Sequence, residues 1–311
     1  MGTDTGSLLK YVLSLIFDNL LSFLPVISAI ISVAIIGSLV QGLKPKIGKE
    51  SMSSIINFVI YGIVVVMIFS ILTKLITSVV SGVGGMKNQM DAIFPILLTL
   101  LTSIGGTVSV GIYQPMMAIL SSVVINVFIS VLLPLFIFSC ILTLLNNISN
   151  TIKLEKMIGF INSIFKWIVG IVFTVFLGFA SFQGLTAGSI DGLSIKTAKY
   201  TLKNYIPIVG GYMSDGIYLM LAGCNLIKNA VGFAGVLLMF SSIIAPILEI
   251  VVFSLALKLI AAIVEPLGNV NLANLVSTLA KNLQLLVAMV ASISFMYILL
   301  VCLVMCSANI V

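Results

Sequence analysis

Apolar residues run along this chain in long unbroken stretches rather than in alternation. The segment "FVIYGIVVVMIFSIL" at 58–72 has no polar position every second residue. Barrel strands need about ten residues of alternating polarity, so the pattern predicts helices. A helix needs about 20 apolar residues to cross a bilayer. Stretches of that kind lie at 20–42, 55–80, 92–112, 116–146, 160–183, 206–226, 230–264 and 283–308. The expected fold is all-α: a polytopic helical membrane protein with about seven to eight transmembrane segments. Leu8, Leu9, Val12, Leu15 and Ile16 give residues 7–19 an apolar stripe, which reads as an interfacial helix before the first span.

Four segments carry interruptions. Residues 92–112 hold Pro95, Gly105 and Gly106, and residues 206–226 hold Pro207, Gly210 and Gly211. Each of these either crosses the membrane or re-enters it. Residues 116–146 and 230–264 are too long for one perpendicular crossing, and Pro134 and Pro246 predict a kink or break in each. The prolines fall at matching intervals, since 134 − 95 and 246 − 207 both equal 39. Two copies of a three-segment repeat follow, and three crossings per copy would invert the second relative to the first. The implied division is an interfacial helix with two transmembrane helices (1–84), a first repeat (85–183), an amphipathic interfacial linker (184–205) and a second repeat (206–311). Lysine counting gives seven on the side of the 44–50 loop and five on the other, a weak preference for a cytoplasmic 44–50 loop.

Composition agrees with a lipid environment. The chain is 60% hydrophobic and 8% charged, against about 25% charged in soluble domains. The net charge of +6 comes from lysine, with no arginine and no histidine. Imidazole metal sites and imidazole bases are therefore excluded. Cys140, Cys224, Cys302 and Cys306 lie in apolar runs without a CxxC, and read as small buried hydrophobes. No Walker A, HExxH or GxSxG occurs. The glycine pairs are not phosphate loops, because no strand precedes them and no Gly-Lys-Ser/Thr follows. Nothing points to catalysis, a cofactor, a metal or nucleic acid.

Polar residues concentrate in "GSIDGLSIKTAKYTLKNYIPIVGGYMSDG" at 188–216. Lys196, Lys199 and Lys203 share one helical stripe, suited either to anionic lipid or to docking an acidic partner. Asp215 follows the Gly210–Gly211 interruption, and is either a functional carboxylate at membrane depth or a surface helix cap. Glu249, three residues after Pro246, sits deep in an apolar run. Lys258 and Glu265, seven apart on one face, complete the embedded set. A Glu249–Lys258 or Lys258–Glu265 arrangement bridged by a neighbouring helix is one expectation. Lys74, Lys166 and Lys228 lie near span ends and are expected to snorkel.

The block "TVFLGFASFQGLTAGSIDGLSIKTAKYTLKNYIPIVGGYMSDG" (174–216), with "KNAVGFAGVLLM" (228–239) and "KLIAAIVEPLGN" (258–269), closely resembles the stage III sporulation protein AE family of endospore-forming bacteria. The resemblance covers roughly 15–311. It implies a multi-pass protein of the mother-cell membrane around the forespore. The implied partners are the other stage III A sporulation membrane proteins and a forespore membrane partner, with self-association left open. The implied role is in a secretion-like channel complex, or feeding tube, that supports late forespore development. Members usually carry a signal sequence and a further polar region before the first span; neither is seen here. A second reading is an autonomous secondary transporter or permease with Asp215 and Glu249 in its pathway.

Overall fold

A computed structural model describes residues 5–42, 50–148, 153–205 and 210–307. Side chains at 5–9, 12, 40–42, 50–57, 148, 182–196, 198–215, 217 and 218 lie outside that description. The described elements are helices: α1 (Thr5–Gly42), α2 (Glu50–Ser103), α3 (Thr107–Ile119), α4 (Ile125–Val127), α5 (Leu133–Ile148), α6 (Glu155–Tyr205), α7 (Gly210–Val264) and α8 (Val270–Cys306). Two π-helical turns, Leu120–Val124 and Phe128–Leu132, join α3, α4 and α5, and a 3₁₀ turn, Glu265–Leu267, follows α7.

Six of these helical stretches are long and apolar enough to cross a membrane: Leu13–Leu39, Phe58–Ser103, Thr107–Asn147, Glu155–Ser181, Leu219–Leu267 and Val270–Cys306. The chain is a multi-pass helical membrane protein. Among the described residues, some segments expected to be separate are joined in one helix. Helix α2 runs unbroken through "SGVGGMKNQMD" (81–91), which reads as a polar loop in sequence. Helix α7 likewise absorbs most of 206–226 and all of 230–264. Residues 7–19 and the first span also form one helix, α1. In a helix packed on neighbours, tertiary burial outweighs the propensity cost of Gly84 and Gly85, about 1 kcal/mol each.

The predicted interruptions fare differently. Helix α2 ends at Ser103, and Gly105 just beyond it adopts φ 88°. There Gly106 N–H donates to Leu101 O at 2.9 Å, and Gly105 N–H donates to Thr102 O at 2.9 Å. This is a Schellman closure, and its left-handed residue favours glycine. Pro134 stands at the second position of α5, directly after the π-helical turn at 128–132. A wider π turn removes the clash between a proline ring and the preceding turn's carbonyl. Pro95 and Pro246 are carried inside α2 and α7 without ending them. Each proline forfeits one hydrogen bond of a long helical ladder, and the flanking turns remain bonded. Pro207 lies outside the described residues; Gly210 and Gly211 begin α7.

Two compact units divide the chain. Unit 1 comprises Met1–Ser81, Ile129–Ile168 and Ile244–Val290; unit 2 comprises Gly82–Phe128, Val169–Ile243 and Ala291–Val311. Unit 1 centres on Ile30, Val64, Ile68, Leu257, Leu275 and Leu286, all fully buried. Met86, Met90, Leu120, Phe128, Met239 and Leu300 do the same for unit 2. At about 1.5 Å per residue, the 46-residue apolar part of α2 and the 49-residue part of α7 each contain roughly 70 Å of helix. A bilayer core is about 30 Å thick and tilts reach about 40°. Each of these helices is therefore longer than one crossing needs.

Candidate functional site

Polar side chains in so apolar a chain need partners, because an unpaired polar group in hydrocarbon costs several kcal/mol. Unit 1 supplies two such arrangements. Glu249 on α7 is 9% exposed, and its Oε1 lies 3.6 Å from Lys74 Nζ on α2. The lysine side chain is 63% exposed against 11% for the glutamate. The same ammonium stands 5.9 Å from the centre of the Phe23 ring on α1, within cation–π range. Phe23 packs on Phe253 of α7 with centroids 5.2 Å apart. The charged pair and the two rings thus tie α1, α2 and α7 together. The partner of Glu249 is Lys74 rather than the expected Lys258. Lys258 is exposed on α7, and Glu265 is exposed at the start of the 3₁₀ turn, where its carbonyl accepts Gly268 N–H at 3.1 Å.

The second arrangement is a closed ring of hydrogen bonds between α5, α6 and α8. Ser139 Oγ donates to Asn162 Oδ1 at 2.6 Å, and Asn162 Nδ2 donates to Asn282 Oδ1 at 3.0 Å. Asn282 Nδ2 donates to Thr143 Oγ1 at 3.0 Å, and Thr143 Oγ1 donates to Ser139 O at 2.8 Å. Ser139, Thr143 and Asn282 are buried. Side-chain amides of this kind join transmembrane helices where apolar contact gives little selectivity. Tyr61 Oη donates to Leu144 O at 2.7 Å, Ser254 Oγ to Ala280 O at 2.9 Å and Ser38 Oγ to Leu267 O at 2.7 Å, adding α2, α7 and α1 to the same framework.

Unit 2 has its own set. Lys228 on α7 was expected to snorkel, yet it is fully buried and donates Nζ to Ser307 O at 2.6 Å. Ser307 immediately follows α8, so the ammonium meets the negative end of that helix. Tyr113 Oη and Ser307 Oγ lie 2.7 Å apart at the same place. Further along, Lys87 and Asp91 on α2 form an i,i+4 pair at 3.4 Å. Ser121, in the first π turn, donates to Asp91 Oδ1 at 3.2 Å and lies 3.5 Å from Tyr297 Oη on α8. Gln89 Nε2 donates to Ser242 Oγ at 2.7 Å. The side chains of Asp215, Lys196, Lys199 and Lys203 lie outside the described residues.

Several of these residues escape a reading of the sequence. Lys87 and Asp91 fall where a loop is expected, although their spacing of four is an available helix signal. The asparagines of the ring carry a weak signal as single amides in apolar runs.

These features define a class: a multi-pass α-helical membrane protein whose helices are held by internal ion pairs and amide contacts. Its family is then given by comparison. The chain matches the family described as stage III sporulation protein AE over residues 1–308, and it belongs to that family. It is 25% identical over 301 residues to stage III sporulation protein AE of Bacillus subtilis (strain 168), covering 97% of this chain and 75% of that protein. No solved structure matches.

Proposed function

We propose that this sporulation protein is a non-catalytic membrane component of the complex joining mother cell and forespore, seated in the mother-cell membrane around the forespore. The family match across almost the whole chain carries this reading. The six apolar helices suit a membrane-embedded member of such a complex. Its partners are the other stage III A membrane proteins and a forespore membrane protein. Lys196, Lys199 and Lys203 offer a docking surface for an acidic partner or for anionic lipid. The test is deletion in the endospore-forming host, complementation with a tagged chain, and recovery of the tagged protein from engulfed cells. Heat-resistant spores should be lost and then restored, and the other stage III A proteins should co-purify. Normal sporulation after deletion, or recovery of the tagged chain alone, would refute the proposal.

A second reading, a secondary transporter, draws on the burial of Glu249 inside α7. It requires that carboxylate to change charge or partner during a cycle. Normal sporulation with Glu249→Gln and Asp215→Asn together removes any pathway role for the two carboxylates.

A further inference from the structure

Helix α6 carries an ammonium at a depth that lipid cannot serve. Lys153, Glu155 and Lys156 are exposed and mark where the chain leaves water at the start of α6. Lys166 lies 166 − 156 = 10 residues farther on, about 15 Å along the helix. That is half of a hydrocarbon core of about 30 Å. A tilt of about 40° still leaves it about 11 Å deep. In the other direction the same apolar stretch continues to Ser181. A lysine stem is about 6 Å long, too short to bring the ammonium to either surface. Among the described residues Lys166 has no anionic partner: it is exposed, and the ion pairs Lys74–Glu249 and Lys87–Asp91 do not include it.

A charge at this depth faces protein or water rather than lipid. Its surroundings argue against water. Phe160 is 65% exposed and Trp167 72%, and Ser163 turns its hydroxyl back onto Gly159 O at 2.8 Å. They suit a packed helix instead. Gly159, Ser163 and Lys166 fall within an arc of about 60° on α6. All three are exposed, and a Cβ at Gly159 would meet nothing within 4 Å. Small residues four apart let a second helix approach closely, and Phe160 and Trp167 flank that strip on one side.

A second copy of this chain does not supply the missing charge. Its described carboxylates lie close to the ends of their apolar stretches (Asp18, Glu155, Glu265) or are already paired (Asp91 with Lys87, Glu249 with Lys74). A helix that satisfies Lys166 must bring an acid of its own. We infer that the Gly159–Ser163–Lys166 face of α6 docks one transmembrane helix of a different protein, a helix with an Asp or Glu near its midpoint. Removing either charge would leave the other buried and unpaired, so the contact depends on both. This docking presupposes that the chain is one component of a membrane complex, and it specifies which face and which kind of helix make the contact.

Trp167→p-benzoylphenylalanine keeps an aromatic ring at the exposed position next to Lys166. Photolysis of engulfed, sporulating cells carrying this full chain should give an adduct with another protein. The cross-linked peptide should lie in a transmembrane helix with Asp or Glu near its midpoint. Adding Lys166→Leu should lower the yield about tenfold, whereas Lys166→Arg should retain it. Lys166→Asp combined with lysine in place of the partner's acid should restore it. Lys166 is exposed, so these variants should melt in detergent as the wild type does. The docking face is overturned by an adduct with lipid only, by an adduct with a second copy, by a partner helix without an acid, or by a yield that Lys166→Leu leaves unchanged. Co-purification of the other stage III A proteins is scored in parallel. Their recovery without the Trp167 adduct refutes the docking face alone, and an acid-bearing helix cross-linked in their absence refutes the stage III A complex alone.

Discussion

Lys228 of α7 donates to the backbone carbonyl of Ser307, at 2.6 Å, directly after the last residue of α8. The lysine is fully buried, so this bond joins a cation to a helix C-terminus in a low-dielectric setting, where both charge–dipole and hydrogen-bond contributions are strengthened. Lys228→Met keeps most of the volume but removes the donor. A hydrogen bond to a charged group contributes about 1.5–3 kcal/mol. Lys228→Met should therefore lower the unfolding free energy in detergent by about 2 kcal/mol. Lys258→Met, at an exposed position on the same helix, should change it by less than about 0.5 kcal/mol. Equal effects would show that burial of Lys228 contributes nothing.

The Lys74–Glu249 pair is asymmetric, and its variants should be too. Removing the exposed lysine leaves a buried carboxylate without its cation, whereas Glu249→Gln leaves a lysine already in contact with its surroundings. Breaking a wholly buried pair costs about 3–5 kcal/mol. Exposure of Lys74 reduces that, and Lys74→Met should cost about 1–2 kcal/mol. Glu249→Gln should cost under about 1 kcal/mol. A double-mutant cycle should give a coupling of about 1 kcal/mol. A coupling of zero would mean that the 3.6 Å approach has no energetic consequence.

The helical class and the closure at Gly105 are legible in the sequence because both depend on local patterns: unbroken apolar runs, and a glycine where the chain must turn left-handed. The helix through 81–91 is not legible. Its glycines, lysine and aspartate favour a loop locally, and neighbouring helices decide otherwise. Glu249 stands out as a buried carboxylate from its apolar surroundings, but its partner does not, since Lys74 belongs to α2 and is remote from α7 along the chain. Lys228 misleads for the same reason. A lysine near the end of an expected span is indistinguishable from a snorkelling one until the end of another helix is found beside it.

The amide ring should behave as one unit. Asn282→Ala removes two hydrogen bonds and leaves Asn162 and Thr143 short of partners. Interhelical bonds of this kind average about 0.6 kcal/mol in membranes and reach about 1.7 kcal/mol. The single variant should cost about 1–3 kcal/mol, counting the unsatisfied groups. Asn162→Leu combined with Asn282→Leu should recover part of that loss, because both partners of one bond become apolar together. Unfolding measured in detergent or bicelles checks both values. Additive losses would show that the two amides act independently.

Gly105 provides the clearest separation between a required glycine and a permitted one. Its φ of 88° lies where a Cβ approaches the following carbonyl, at a cost of about 1–2 kcal/mol for an L side chain. Gly105→Ala should therefore destabilise the protein by about that amount, and Gly268→Ala, at φ 87°, should do the same. Gly111 differs: it lies inside α3, and a Cβ there meets nothing within 4 Å. Gly111→Ala should be neutral or stabilising by up to about 1 kcal/mol, because alanine is the better helix former. Gly105→Asn should recover part of the loss, since asparagine tolerates the left-handed conformation better than alanine. Thermal unfolding of the four variants in one detergent gives the ranking directly. If Gly105→Ala and Gly111→Ala were equally mild, α2 would not end in a left-handed closure.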